Sequence, residues 1–216
     1  MRYLIHTCNQ RKWYVRDYLV PSMIEQGIDE NDITVWLDSK CEGNLKAFIN
    51  SCRELPEDSG TWHMQDDVVI CKDFKERTEK YDEGLIAGFT CYYDIMGKPG
   101  YVNTKELWYS FPCIRIPNKL IHEFIKWVDK WVWNDPQYAR YVKKSKGDDW
   151  IFKVYIENYC TDVTALNLSP NLVDHVDYLI GGTIINPDRR KKNVRSIYWE
   201  DESIVKELEQ ELKRRK

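Results

Sequence analysis

No stretch of the 216-residue chain approaches the roughly 18 consecutive apolar residues that a membrane-spanning helix requires. The opening Met1-Arg2-Tyr3-Leu4-Ile5-His6 is too short an apolar run for a secretory signal, so a soluble protein of the cytoplasm is expected, with no membrane partner. There is no CxxC pair: the seven cysteines, at 8, 41, 52, 71, 91, 113 and 160, are odd in number and scattered. That pattern argues against a disulfide framework and for reduced thiols used as small core residues. Charge of one sign is also lacking. With 32 Lys and Arg against 35 Asp and Glu the net charge is −3, which gives no global drive toward nucleic acid. Internal repeats and low-complexity linkers are absent as well. What is present is 43% hydrophobic and 13% aromatic residues, including nine Trp and fourteen Tyr, a composition that excludes a disordered chain and supplies a core for one α/β domain.

Hydrophobic periodicity organises the first third of the chain as strand and helix in alternation. Residues 2–7 form a short apolar run, and Trp13, Tyr14, Tyr18, Leu19, Met23 and Ile24 repeat at helical spacing over 13–26, with Pro21 placed to kink or divide that helix. Ile33-Thr34-Val35-Trp36-Leu37-Asp38 is a second strand, 44–54 a second helix and 61–65 a third strand. Such units imply a mostly parallel sheet with helical crossovers, flanked by helices. Further on, the pattern predicts a helix over 74–80, strands over 85–93 and 108–116, a turn at 97–100, and a helix over 119–133. A polar loop at 143–147 precedes a helix running from Asp148 to about Tyr159, and a charged, largely solvated helix covers 200–216 beyond a single domain at 1–199.

Ligands of such sheets bind beyond the carboxyl ends of the strands, where Thr7, Asp38 and Asp67 are expected to converge. Asp66 and Asp67 interrupt the apolar run Thr61 to Cys71, a placement that costs hydration and sets two like charges side by side unless they are protonated, hydrogen-bonded or neutralised. A divalent cation is the economical neutraliser, and oxygen ligands suit magnesium or manganese. A strand-end turn or helix cap explains the same two residues without any ligand. The later pair Asp148-Asp149 has the form of an N-cap, or of a carboxylate base. His175 suits either a metal ligand or a packed imidazole. The run 188–195, with Arg189, Arg190, Lys191, Lys192 and Arg195, suits diphosphate oxygens, a nucleic-acid backbone or plain solvent.

In order along the chain, the strand ends, then Gln65-Asp66-Asp67-Val68, then Gly147-Asp148-Asp149-Trp150, then Pro170-Asn171-Leu172-Val173-Asp174-His175-Val176 resemble a GT-A-type glycosyltransferase over roughly residues 1–195. The chain is similar to small single-domain members of the kind carried by bacteriophages, and its Pro-x-Leu-Val-x-His segment to metal-dependent transferases of N-acetylglucosamine. The resemblance implies a GT-A-like, Rossmann-like single domain and a metal-dependent transfer from a nucleoside-diphosphate sugar, UDP-linked by expectation. It implies Mn2+ or Mg2+ at Asp67 and His175, with Gln65 standing where the first acid of a DxD motif often sits. It places Thr7, Arg11 and Asp38 on the uracil and ribose, Asp66 on the ribose or behind the ligand shell, and Arg189 and Arg190 in a lid over the diphosphate. Asp149 corresponds to the base of inverting members, with Asp148 as its understudy.

The acceptor implied by the phage-like resemblance is a 5-hydroxymethylpyrimidine in DNA, with a protein or cell-surface glycan as the alternative. A divalent-metal nuclease or phosphohydrolase would also want clustered carboxylates, and in a non-catalytic binding module both Asp pairs would be caps. Oligomeric state is not legible in the sequence.

Overall fold

The structure is a computed structural model that describes residues 1–89, 102–103, 111–137, 147–160, 163–181 and 199–214. The expected turn at 97–100, the beginning of the strand expected at 108, most of the polar loop at 143–147 and the basic run at 188–195 lie outside the described residues, as does Cys91.

The strands are β1 (Arg2–Cys8), β2 (Ile33–Asp38), β3 (Gly60–Gln65), β4 (Val68–Ile70), β5 (Leu85–Ala87), β6 (Val102–Asn103), β7 (Cys113–Pro117), β8 (Ala165–Asn167) and β9 (Val173–His175). Among the described residues, seven of them form one sheet in the order β2-β1-β3-β7-β5-β8-β6, while β4 and β9 form a separate two-stranded ribbon. Strands β1, β2 and β3 run parallel, with Tyr3 beside Ile33 and Trp62. β7 is antiparallel to β3 and β5, β8 is again parallel to β5, and β6 opposes β8. Five strands therefore share one direction and only β7 and β6 oppose them, which is the mostly parallel, Rossmann-like sheet that the strand and helix alternation implies.

Side-chain alternation along the strands divides the core in two. On one face, Tyr3, Ile5, Trp62 and Met64 pack with helix α1 (residues 12–25), the helix α3 (Phe74–Lys80), the ribbon, and the helix α6 (Glu202–Arg214). Helix α1 runs through Lys12–Tyr14, a π-helical Val15–Leu19 and Val20–Glu25. On the other face Leu4, Ile114 and Ile116 pack with α2 (Asn44–Cys52), α4 (Asn118–Trp127) and α5 (Asp148–Tyr159). Both cores lean on one sheet, so the described chain is a single three-layer domain.

Pro21 does not break α1. Its missing N–H and the clash of its ring with the preceding turn are absorbed by the π turn, where the Val20 N–H bonds to the Val15 carbonyl, one residue farther than in an α-helix. A second π segment, Val128–Val132, extends α4 to the length that periodicity predicts. Of the strand expected over 85–93, β5 covers Leu85–Ala87 and residues 90–93 lie outside the described residues; Phe111-Pro112 form a turn before β7. Helix α6 is charged, but its Val205 and Leu208 are buried in the first core, and the Asp201 carboxylate just before it accepts from the Lys72 N–H at 2.9 Å. It is docked on the domain that precedes it.

The second core centres on Phe124, which is fully buried among Phe48, Trp127, Phe152 and Tyr155. Phe124→Ala is expected to cost about 3–5 kcal/mol of unfolding free energy in urea titration, because three elements converge there and cannot all close the void.

Candidate active site

Each of the three leading strands delivers polar side chains at its carboxyl end, to one cavity of about 370 Å³, a size within the roughly 300–1,000 Å³ of small-molecule sites. β1 brings His6, Thr7 and Cys8, β2 brings Asp38, and β3 brings Gln65 and then Asp66 and Asp67. Arg11 enters from the residue before α1, Gly43 from the residue before α2, Asn44, Ala47 and Phe48 from α2 itself, Asp148 from α5 and His175 from β9.

Asp66 and Asp67 occupy the turn by which the chain leaves the main sheet at Gln65 and enters the ribbon at Val68. Asp66 is tied to the main sheet: Thr7 Oγ1 donates to its Oδ2 at 2.9 Å and the Cys8 N–H at 3.3 Å. Asp67 is tied to the ribbon, whose register sets Val68 beside His175 and whose Val176 N–H donates to the Asp67 carbonyl at 2.8 Å. His175 Nε2 thereby lies 3.1 Å from Asp67 Oδ2. Behind it Asp177, buried, places Oδ1 3.7 Å from His175 Nδ1. Arg11, also buried, spans both carboxylates, donating from Nη1 to Asp66 Oδ1 at 3.0 Å and to Asp67 Oδ2.

The cation that meets the two acids in this structure is therefore a guanidinium. Burial alone would raise the Asp67 carboxyl, but His175 and Arg11 outweigh it and hold the group well below the ordinary carboxylate range. Burial and then the neighbouring Asp67 charge raise Asp66, against Arg11. Burial would lower His175, yet the Asp67 carboxylate facing it pushes it up to about 9, so it is charged at neutral pH. By contrast His6, 3.3 Å from His63, is pushed down to about 4 by burial, so the imidazole that β1 contributes is neutral.

Two helix N-termini also contribute to the lining. Gly43, at φ 93, turns the chain into α2, whose first turn carries no acidic residue and leaves its N–H dipoles for an anion. At the head of α5, Gly147 approaches so closely that a Cβ there would stand 3.2 Å from Asn44 Cβ. Asp148 is buried and lines the cavity; burial, then the adjacent Asp149 charge, push its carboxyl up to about 7. Asp149 is not among the lining residues and accepts from the Trp150 N–H at 2.6 Å.

The structure thus brings together Thr7, Arg11, Asp38, Asp66, Asp67, Asp148 and His175, leaves Asp149 beside the cavity, and does not describe Arg189 and Arg190. Sequence reasoning missed His6, Asn44 and Asp177. The last carries a signal in hindsight, since Asp174-His175-Val176-Asp177 puts a carboxylate two residues from the imidazole it backs. As a place for a divalent ion, Asp67 and His175 fit by chemistry: a carboxylate and an imidazole adjoin, and the buried Asp67 Oδ1 has no hydrogen-bond partner among the described residues. Both side chains would first have to part from their present ionic contacts. A separate trio, Cys71, Asp73 and Asp201, has ligand atoms within 4.8 Å of one another but contributes nothing to the cavity.

No protein-family model and no curated protein matches this sequence. Among solved structures, the galactosyltransferase LgtC in complex with donor and acceptor sugar analogs is similar at 11% identity, covering 98% of this chain and 96% of that one, with a TM-score of 0.47. At that distance the likeness carries no argument about what this chain binds or does.

Two outcomes follow from the charge cluster. Arg11→Ala leaves two buried carboxylates without their shared cation and is expected to destabilise the fold by about 3–5 kcal/mol at neutral pH, measured by urea unfolding. The His175 contribution has the opposite pH sense to that of a depressed acid. With the folded value about 9 against 6.5 unfolded, its stabilisation is whole below pH 6.5 and is lost as pH rises through 9. Urea midpoints of the parent should therefore fall over that interval relative to those of His175→Gln.

Proposed function

We propose that the chain is a metal-dependent glycosyltransferase that moves a sugar from a nucleoside-diphosphate donor, UDP-linked by preference, to an acceptor hydroxyl with inversion. The observation that carries this reading is the single cavity in which Thr7, Arg11, Asp38, Asp66, Asp67, Asp148 and His175, from separate segments, meet at the strand ends. A donor diphosphate is an anion, and the cavity offers it the N-terminus of α2, with Arg189 and Arg190 the lid cations that the resemblance implies. Thr7, Asp38 and Asp66 offer hydrogen-bonding groups for a ribose and base. Asp67 and His175 would hold Mn2+ or Mg2+, which when bound supplies charge neutralisation for a departing diphosphate.

The base that takes the acceptor proton comes from the pair at the head of α5. Asp149 holds that position by resemblance, but the lining favours Asp148, whose carboxyl, pushed up to about 7, is poised to accept a proton near neutrality. The acceptor favoured is a 5-hydroxymethylpyrimidine in DNA, a reading that leans on the phage-like resemblance and on Arg189 to Arg195. A glycan or protein hydroxyl is the competing outcome.

The test is a screen of nucleotide sugars with manganese, scoring released nucleoside diphosphate with hydroxymethylated DNA, ordinary DNA and glycans as acceptors. Hydroxymethylated DNA should be the acceptor used, and binding to it should weaken steeply with salt. Asp67→Asn should abolish turnover while circular dichroism shows the fold intact. Asp148→Asn should lose at least ~100-fold in transfer with donor affinity retained, and Asp149→Asn much less. No diphosphate release with any donor, or undiminished turnover by Asp67→Asn, overturns the reading.

A further inference from the structure

We propose that Asp177 is a positioning residue, whose buried carboxylate holds the ring hydrogen of His175 on Nδ1 and so reserves Nε2 for an ion shared with Asp67. The role rests on the proposed place of that ion. His175 ends β9, and its backbone is fixed independently of its ring: β9 pairs with β4, and the His175 N–H donates to Asp174 Oδ1 at 2.9 Å. Phe89 lies against the ring, with 6.2 Å between centroids. Nε2 faces Asp67 Oδ2 at 3.1 Å, and Nδ1 faces Asp177 Oδ1 at 3.7 Å. Asp177 is 4% exposed and stands outside the cavity lining. Its Oδ1 and the His175 Nδ1 are both buried without a hydrogen-bond partner among the described residues, so two groups that each cost free energy when left unpaired confront one another. The carboxylate is placed by its own turn, in which the Asp177 carbonyl accepts from the Ile180 N–H at 3.1 Å and the Val176 carbonyl from the Leu179 N–H at 2.9 Å. The 3.7 Å separation is roughly 0.5 Å beyond a hydrogen bond, as such contacts often are in unliganded sites.

The chemistry of the two carboxylates that bracket the ring sets what this contact does. Ligation through Nε2 needs the lone pair of that nitrogen, so the one hydrogen of a neutral imidazole must then sit on Nδ1. Asp67 by itself favours the opposite arrangement: a hydrogen on Nε2 would donate to its Oδ2, and the nitrogen would have no lone pair left for an ion. Asp177 opposes that outcome. An ionised carboxylate accepts and cannot donate, so a bare lone pair on Nδ1 would face those of Oδ1 in a buried place. With the hydrogen on Nδ1, both unpaired atoms are satisfied at once. Because Asp177 lies outside the lining, it acts on the site through His175.

Manganese affinity, read by electron paramagnetic resonance of the free ion, should fall about 10–100-fold in Asp177→Ala, and Asp177→Asn, whose Oδ1 can still accept from Nδ1, should recover most of the loss. In a His175→Gln background Asp177→Ala should change nothing further, because its effect passes through the ring. A second readout needs no ion. In Asp67→Ala the hydrogen of neutral His175 should sit on Nδ1 by nitrogen chemical shifts, and adding Asp177→Ala should move it to Nε2. Equal manganese affinity of the parent and Asp177→Ala, an equal loss in both backgrounds, or a hydrogen on Nε2 in Asp67→Ala overturns the proposal. A parent that binds no manganese overturns the ion assignment instead, and the nitrogen shifts still decide what Asp177 does to the ring.

Discussion

The placement of two adjacent carboxylates in a buried turn is the constraint around which the site is arranged. Asp66 and Asp67 sit side by side with little solvent, and neither is tolerable there without a counter-charge. Arg11 is drawn inside by this need and His175 becomes protonated because of it. Each of these side chains in turn fixes a piece of the fold: Arg11 ties the start of α1 to the strand ends, and His175 ties β9 of the ribbon to the turn at Asp67. The same charges that make the cavity chemically capable also hold its walls together.

Much of the architecture was legible because it is written locally. The β-branched run Ile33 to Leu37, the helical spacing from Trp13 to Ile24 and the apolar face of 119–133 each declare their period within a few residues, and the parallel order of β1, β2 and β3 follows from the helices between them. The ribbon of β4 and β9 had no such signal. Its strands are three residues each and more than a hundred positions apart, so only tertiary pairing identifies them. With the ribbon unseen, the contact between Asp67 and His175 rested on resemblance alone. For Asp148 and Asp149 the difficulty was angular: consecutive helical residues point about 100° apart, and no sequence pattern says which of two equal acids faces the cavity. Arg11 was expected on a nucleotide and lies against both acids, because the cost of burying charge is settled by the nearest available cation.

Electrostatic cost and core stability are spatially separated in this chain. The cavity collects buried acids whose carboxyls are displaced in both directions, Asp67 downward and Asp66 and Asp148 upward. The core cluster around Phe124 is made, among the described residues, of apolar and aromatic side chains, to which the sheet contributes Leu4, Ile114 and Ile116. A polar site of this kind is tolerated because strained electrostatics at one edge of the sheet are offset by dense packing on both of its faces.

The peptide joining Asp66 to Asp67 is the seam between two sheets. One carboxylate moves with β1 through Thr7 and Cys8, and the other with β9 through Val176 and His175. A sub-ångström displacement of the ribbon against the main sheet therefore changes the spacing of the two negative charges directly, without any side-chain rotation. Arg11, hydrogen-bonded to both, is one of the contacts that tie the two together, beside the Tyr14 hydroxyl that donates to the Val68 carbonyl at 2.9 Å. Whatever draws Arg11 away from either acid consequently alters not one ion pair but the mechanical coupling between the two halves of the strand-end surface.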